Sequence, residues 1–205
     1  MIVAFMGNDG SGKTTVAKEI KKVLEKKGHK VDYQPGFDHV FLDKLLSLWG
    51  RIARKDTKKM TKEYLDTGKK KKRFLFKIWP YFVFLECCFI YLVSMFKRKT
   101  IVIFDRYFYD YLISYEELGY SSSFIRKLFL FLPKPDVGLV FDVSPLTAYK
   151  RKKADHRSNL DYYKRQRRRY LKMAKVKSLP VINTEETLDR TVSDTLEFIA
   201  KKIKI

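Results

Sequence analysis

The string Gly7-Asn8-Asp9-Gly10-Ser11-Gly12-Lys13-Thr14-Thr15 is the stretch of this chain best equipped for chemistry. It follows the spacing G-x-x-x-x-G-K-T, in which glycines let the backbone turn so that several N–H groups converge on phosphate oxygens. Lys13 offers a charge to the β- and γ-phosphates and is expected to face solvent as a ligand group. Thr14 offers a hydroxyl to Mg²⁺, and a helix opening near Lys13 points the positive end of its dipole at the same place. A glycine-rich turn without a ligand is the plainer alternative, but it would need neither the Lys-Thr pair nor the apolar run Ile2–Met6 before it. The pattern implies a cradle for a nucleoside triphosphate, with ATP and Mg²⁺ as the cofactors.

Phosphoryl transfer also needs a carboxylate for the metal or acceptor, and cations for the charge on the transferring group. Asp105-Arg106-Tyr107 follows the apolar run Ile101–Phe104, so it stands at the carboxyl end of a strand, where open parallel sheets bind ligands. Asp105 is the best carboxylate for the metal, and Arg106 can grip an anionic acceptor with two parallel hydrogen bonds. The same pair could instead be a strand-end ion pair with a neighbouring helix. Further cations are expected from Arg151, Arg157 and Arg165. Residues 151–160 read as a short lid whose closure excludes water. Arg165–Arg169 has a rival reading as a nucleic-acid-binding helix, although no RNA-binding signature accompanies it.

These residues need a frame. Ile2–Met6, Lys30–Gln34, Thr100–Phe104, Asp136–Val143 and Leu179–Asn183 read as strands. Helical spacing of apolar residues predicts helices over Thr15–Lys27, Phe37–Ile52, Ile78–Phe96, Ser144–Lys153, Arg157–Lys177 and Leu188–Ile203. Arg51–Arg73, with its Lys69–Lys72 run, reads as a basic connection. The alternation predicts an α/β fold: one domain over 1–205, a three-layer α/β/α arrangement with a five-stranded parallel sheet and a short lid. Ile78–Phe96 is long enough for a membrane span. Glu86 near its middle, Pro80 in an expected first turn and the strand that follows favour a helix buried in the core, with a dimer contact as a further expectation and membrane contact by its aromatic face as the alternative.

The chain carries 44 Lys and Arg against 23 Asp and Glu, a formal charge of +21. That suits polyanionic company, whether nucleotide, nucleic acid or anionic membrane, and also suits a lysine-rich solvated surface. Adjacent Cys87 and Cys88 form neither a C-x-x-C motif nor a disulfide framework, which points to a reducing, cytoplasmic setting. No cleavable signal is expected, because the first residues already read as strand and P-loop.

Taken together, the residues resemble the thymidylate kinase family of P-loop nucleoside monophosphate kinases over nearly the whole chain. The resemblance rests on Gly7–Thr14, on Asp105-Arg106-Tyr107, and on Asp142-Val143-Ser144-Pro145 followed by Ala148 and Arg151. It implies that Asp9 contacts the acceptor's sugar or phosphate, that Arg106 handles phosphate, and that Tyr107 packs on the acceptor's sugar. It also implies that Arg151 lies over the donor adenine and that Asn183 meets the donor base. The family's Arg-Glu-Pro-Gly is here Tyr33-Gln34-Pro35-Gly36, which puts Gln34 beside the acceptor without the usual phosphate-binding Arg. The family's thymine-reading Arg is matched by Phe84, and its serine after Asp-Arg-Tyr by Asp110. Glu86 then has two readings: a buried carboxylate paired with a basic residue, or an acceptor contact that prefers amino groups and sugar hydroxyls. The expected function is ATP-dependent phosphorylation of a nucleoside monophosphate, thymidine monophosphate to the diphosphate, or of a related small acceptor. The alternative from another class is a catalytically inactive nucleotide-binding module for nucleic acid or membrane.

Overall fold

The computed structural model describes residues 1–36, 73–97, 99–117, 119, 122–152 and 159–203. Its strands are β1 (Ile2–Met6), β2 (Lys30–Pro35), β3 (Thr100–Asp105), β4 (Val137–Asp142) and β5 (Val181–Asn183), joined into one parallel sheet in the order β2-β3-β1-β4-β5. The described helices are α1 (Lys13–Lys26), α2 (Arg73–Phe96), α3 (Phe108–Glu117), α4 (Ser123–Phe131), α5 (Pro145–Arg151), α6 (Leu160–Lys177) and α7 (Leu188–Ile203).

Strand side chains alternate between faces, and here both faces are dry. Ile2, Ala4 and Met6 of β1, with Val102 and Phe104 of β3, pack toward α2, α3, α4 and α6. Val3 and Phe5 of β1, with Ile101 and Ile103 of β3, pack toward α1 and α7. The expected three-layer α/β/α P-loop fold is therefore what forms. Because β1 lies between β3 and β4, the loops at the carboxyl ends of these three strands share one rim, and Phe5 is in register with Asp105.

Capping residues set where several helices begin. Ser122, Ser144 and Asn159 accept hydrogen bonds from the backbone N–H of Ile125, Thr147 and Tyr162, each satisfying a donor that the first turn leaves open. Pro145 occupies the first turn of α5, where its missing N–H costs nothing.

Three expectations change. Helix α2 begins at Arg73 rather than Ile78, so Pro80 lies inside it and not in its first turn. The helix is not a core helix throughout: Val83, Glu86 and Cys87 are buried, whereas Leu85 (62%), Phe89 (59%) and Phe96 (82%) are exposed. Over Trp79–Phe96 it is long and apolar enough to cross a membrane by length and composition. Finally, α3 and α4 occupy a stretch for which no element was expected. The expected helix Phe37–Ile52 and the Lys69–Lys72 run lie outside the described residues.

Candidate functional site

The loop from Gly7 to Gly12 joins β1 to α1. Its tight path requires glycine at position 7: with φ at +148°, a Cβ there would lie 2.5 Å from the Phe141 carbonyl oxygen. An open cavity of about 270 Å³ lies over the loop. Asp9, Gly10 and Gly12–Thr15 form one wall, and Arg106, Arg151 and Lys152 the other.

Lys13 departs from expectation. It is 4% exposed, folded into the loop with Nζ donating to the Asn8 carbonyl at 3.1 Å. Burial, reinforced by the nearby charge of Arg106 and opposed by Asp9, Asp110 and Asp105, lowers its pKa to about 8. The side chain is a core-lodged cation at the cavity floor rather than a solvent-facing one.

Asp105 ends β3, with Tyr33 Oη of β2 donating to its Oδ2 at 3.0 Å. Burial and this carboxylate together push the Tyr33 phenol up. Asp105 Oδ1, Asn8 Nδ2 and Ser11 Oγ are buried with no hydrogen-bond partner. Three unsatisfied polar atoms within one loop and the adjoining strand end are costly in a folded interior, and all three lie behind the cavity lining. The groups that line it, the loop backbone with Lys13, Thr14, Arg106 and Arg151, fit a phosphate chain with a divalent cation.

Arg106 is a non-glycine residue at φ +94°, a conformation worth about 1–3 kcal/mol of strain. Its N–H donates to the Phe5 carbonyl, and Gly36 packs so closely on its side chain that a Cβ at 36 would collide with it. Its guanidinium pairs with Asp9, and Nη1 lies 3.8 Å from Asp110 Oδ1. Burial works to raise the Asp9 carboxyl, but Arg106 and Lys13 overcome it and hold the group below its usual value. The expected strand-end alternative thus has substance, because Arg106 is ion-paired both with Asp110 of the neighbouring helix α3 and with Asp9 of the P-loop, which lines the cavity.

Arg151, at the end of α5, donates from Nη1 to the Gly10 carbonyl at 3.3 Å and from Nη2 to the Thr184 carbonyl at 3.1 Å. Thr184 is buried and follows Asn183, whose Oδ1 accepts the Glu185 N–H at 3.0 Å. Asn183 therefore stands on the rim beyond Arg151. Arg157 lies outside the described residues.

The expected acceptor residues are dispersed. Gln34 turns its amide to Asp32 at 2.9 Å, and Tyr107 is a core ring whose hydroxyl donates to the Pro133 carbonyl at 2.7 Å. Glu86 is buried on α2, where its charge reaches Tyr111 and Cys87, and it does not line the cavity. The arginines read as a nucleic-acid helix are largely engaged. Arg165 binds Glu117 at 2.9 Å, Arg167 forks onto Asp142 with two bonds of 2.8 Å, and Arg169 pairs with Glu117. Sequence reasoning passed over Tyr33, Thr184 and Tyr170 as site residues. Only Tyr33 carried a signal, since it occupies the matching place of a family Arg.

A phosphate cradle at the end of the central strand, with a carboxylate and a guanidinium from the neighbouring strand, defines a P-loop kinase. The thymidylate kinase family model matches residues 88–195, just over half of the chain, and the chain belongs to that family. It is 25% identical to a protein of Sulfurisphaera tokodaii described as a probable thymidylate kinase, covering 98% of this chain and 97% of the relative. It is 27% identical to one of the same description from Sulfolobus acidocaldarius, covering 97% and 95% respectively. A third, from Methanosphaera stadtmanae, is 28% identical over the full length of both chains. The family implies ATP as the phosphate donor.

Proposed function

We propose that this chain transfers the γ-phosphoryl group of ATP to the phosphate of a nucleoside monophosphate, thymidine monophosphate first, giving the diphosphate and ADP. The acceptor's phosphate oxygen attacks the γ-phosphorus as the bond from that phosphorus to the β–γ bridging oxygen breaks, and the electrons leave with ADP. The acceptor phosphate is already anionic, so no base is needed, and positioning with charge stabilisation is the protein's whole task. The observation that carries the reading is the open cavity over the glycine-rich loop, into which Lys13, Thr14, Arg106 and Arg151 converge.

In this reading Gly7–Thr15 bind the triphosphate, Lys13 carries its charge, and Arg151 and Asn183 serve the nucleoside end. Thr14 and Asp105 would hold Mg²⁺, which supplies charge neutralisation on the phosphates. Arg106 takes the acceptor phosphate, and Asp9, its ion-pair partner, meets the acceptor's sugar. The chain is one kinase domain over 1–205, and the expected lid, residues 151–160 with Arg157, falls largely outside the described residues. Acceptor-dependent ADP release, measured across nucleoside monophosphates, tests this. Turnover with thymidine monophosphate above the acceptor-free rate is expected, and ATP binding without transfer to any acceptor refutes the reading.

We also propose a homodimer across α2. Phe82, Leu85, Phe89, Leu92 and Phe96 are all exposed and follow one another at intervals of 3, 4, 3 and 4 residues. That spacing makes one apolar seam of the kind that packs helix against helix, so a second copy of α2 fits it. The free cysteines Cys87 and Cys88 and the use of ATP fit a cytoplasmic setting.

A further inference from the structure

Asp110 is fully buried, one turn into α3. Its Oδ2 accepts the Tyr107 N–H at 2.9 Å, the reach-back by which a third helical residue satisfies the cap position. Its Oδ1 accepts the Tyr170 hydroxyl at 2.7 Å and lies 3.8 Å from Arg106 Nη1. Burial raises the Asp110 carboxyl, opposed by Arg106 and Tyr170. Tyr170 is itself buried and belongs to α6, the helix that opens at Leu160. One oxygen of a wholly buried carboxylate is thus shared between a hydroxyl from α6 and the guanidinium at the acceptor end of the cavity.

A buried carboxylate oxygen without a hydrogen-bond donor draws strongly on any cation in reach. While Tyr170 satisfies Oδ1, Arg106 stays outside hydrogen-bonding distance of Asp110 and remains directed at Asp9 and the cavity. We propose that Asp110 and Tyr170 are positioning residues for Arg106, and that through them α6 controls whether the guanidinium is offered to the acceptor phosphate. Withdrawal of the Tyr170 hydroxyl, by substitution or by displacement of α6, releases Oδ1 to pull Arg106 back from the acceptor. This rests on the reading of Arg106 as the acceptor-phosphate cation.

Tyr170→Phe removes the hydroxyl and keeps the ring. In steady-state kinetics with ATP and thymidine monophosphate, it should raise the acceptor KM about tenfold, the effect of one hydrogen bond to a charged group. The ATP KM should stay within about twofold, because the donor wall is untouched. Acceptor affinity by titration calorimetry with ADP present completes the cycle. In an Arg106→Ala background, Tyr170→Phe should have no further effect. An unchanged acceptor KM, equal rises in both KM values, or the same loss with Arg106 absent would each overturn the proposal. If Tyr170→Phe does not fold, Asp110→Asn enters the same cycle, and its effect on the acceptor must likewise vanish without Arg106. A wild-type protein that releases no acceptor-dependent ADP defeats the kinase reading and this proposal with it. Turnover by the wild type with an indifferent Tyr170→Phe defeats this proposal alone.

Discussion

Tyr33 donates its hydroxyl to Asp105 Oδ2 at 3.0 Å, leaving Oδ1 as the buried oxygen without a partner. Tyr33 stands where the family sequence has the Arg of Arg-Glu-Pro-Gly, so a group that elsewhere meets the acceptor is here spent on orienting a carboxylate. Tyr33→Phe should leave the fold intact, since β2 is an edge strand and Tyr33 is only half-buried. It should raise the Mg²⁺ concentration for half-maximal turnover by about three- to tenfold, in line with about 1 kcal/mol for the lost bond. A titration of rate against Mg²⁺ measures this, and an unshifted midpoint means Asp105 needs no such support.

Lys13 makes nucleotide binding sensitive to pH in an unusual range. Its pKa falls from the ordinary 10.5 to about 8 in the folded protein. Between these values the unfolded chain holds more protons than the folded one, so this group makes stability rise with pH there. ATP binding has the opposite sign, because the phosphates need the charged amine. Without divalent cation, the dissociation constant should climb above pH 8, toward tenfold per pH unit. Lys13→Ala should bind weakly with no such inflection. Binding titrations from pH 7 to 10 decide the matter, and a flat wild-type profile would place the phosphates away from Lys13.

Much of this site was legible because local chemistry dictates it. A run such as Ile2–Met6 that is buried on both faces cannot be a half-exposed strand, and glycines followed by Lys-Thr have few other uses. Asp105 and Arg106 followed from the same logic, as residues at the end of another run buried on both faces. Helices α3 and α4 leave a weak local signal because they are short, 10 and 9 residues, and α3 is apolar on most of its faces. Proline favours the first turn, which suggests a helix from Ile78 with Pro80 in that turn, yet the helix runs through it from Arg73. The phosphate-ligand role of Lys13 suggests a solvent-facing side chain, and only the fold shows the Asn8 carbonyl that receives it. The Asp110–Tyr170 bond joins residues 60 positions apart and leaves no trace in any local pattern.

The seam on α2 yields a prediction independent of activity. Leu85 lies near its middle and is exposed, so replacing it by Glu costs the isolated chain little. In a dimer the same change buries an unpaired charge on each side, a penalty of several kcal/mol. Sedimentation analysis should show the wild type as a dimer and Leu85→Glu as a monomer at the same concentration. A monomeric wild type would leave the seam without a second copy.

Arg151 gives the sharpest test of the donor wall. Its two terminal nitrogens reach the Gly10 carbonyl on the P-loop and the Thr184 carbonyl beyond β5, so one planar group ties the loop's tip to the rim that carries Asn183. A lysine in its place has a single ammonium and cannot span both carbonyls from one position with the same rigidity. Both Arg151→Ala and Arg151→Lys should therefore raise the ATP KM, by about tenfold for the alanine and not much less for the lysine. The acceptor KM should change little, because Arg106 and Asp9 make no contact through Arg151. Turnover at saturating ATP should fall less than the ATP KM rises, since the lost bonds hold the cradle in ground and transition states alike. If lysine restores full ATP affinity, Arg151 acts as a charge over the phosphates. If both variants instead lose turnover with an unchanged ATP KM, Arg151 acts on the transferring group itself, and the donor wall must be assigned to other residues.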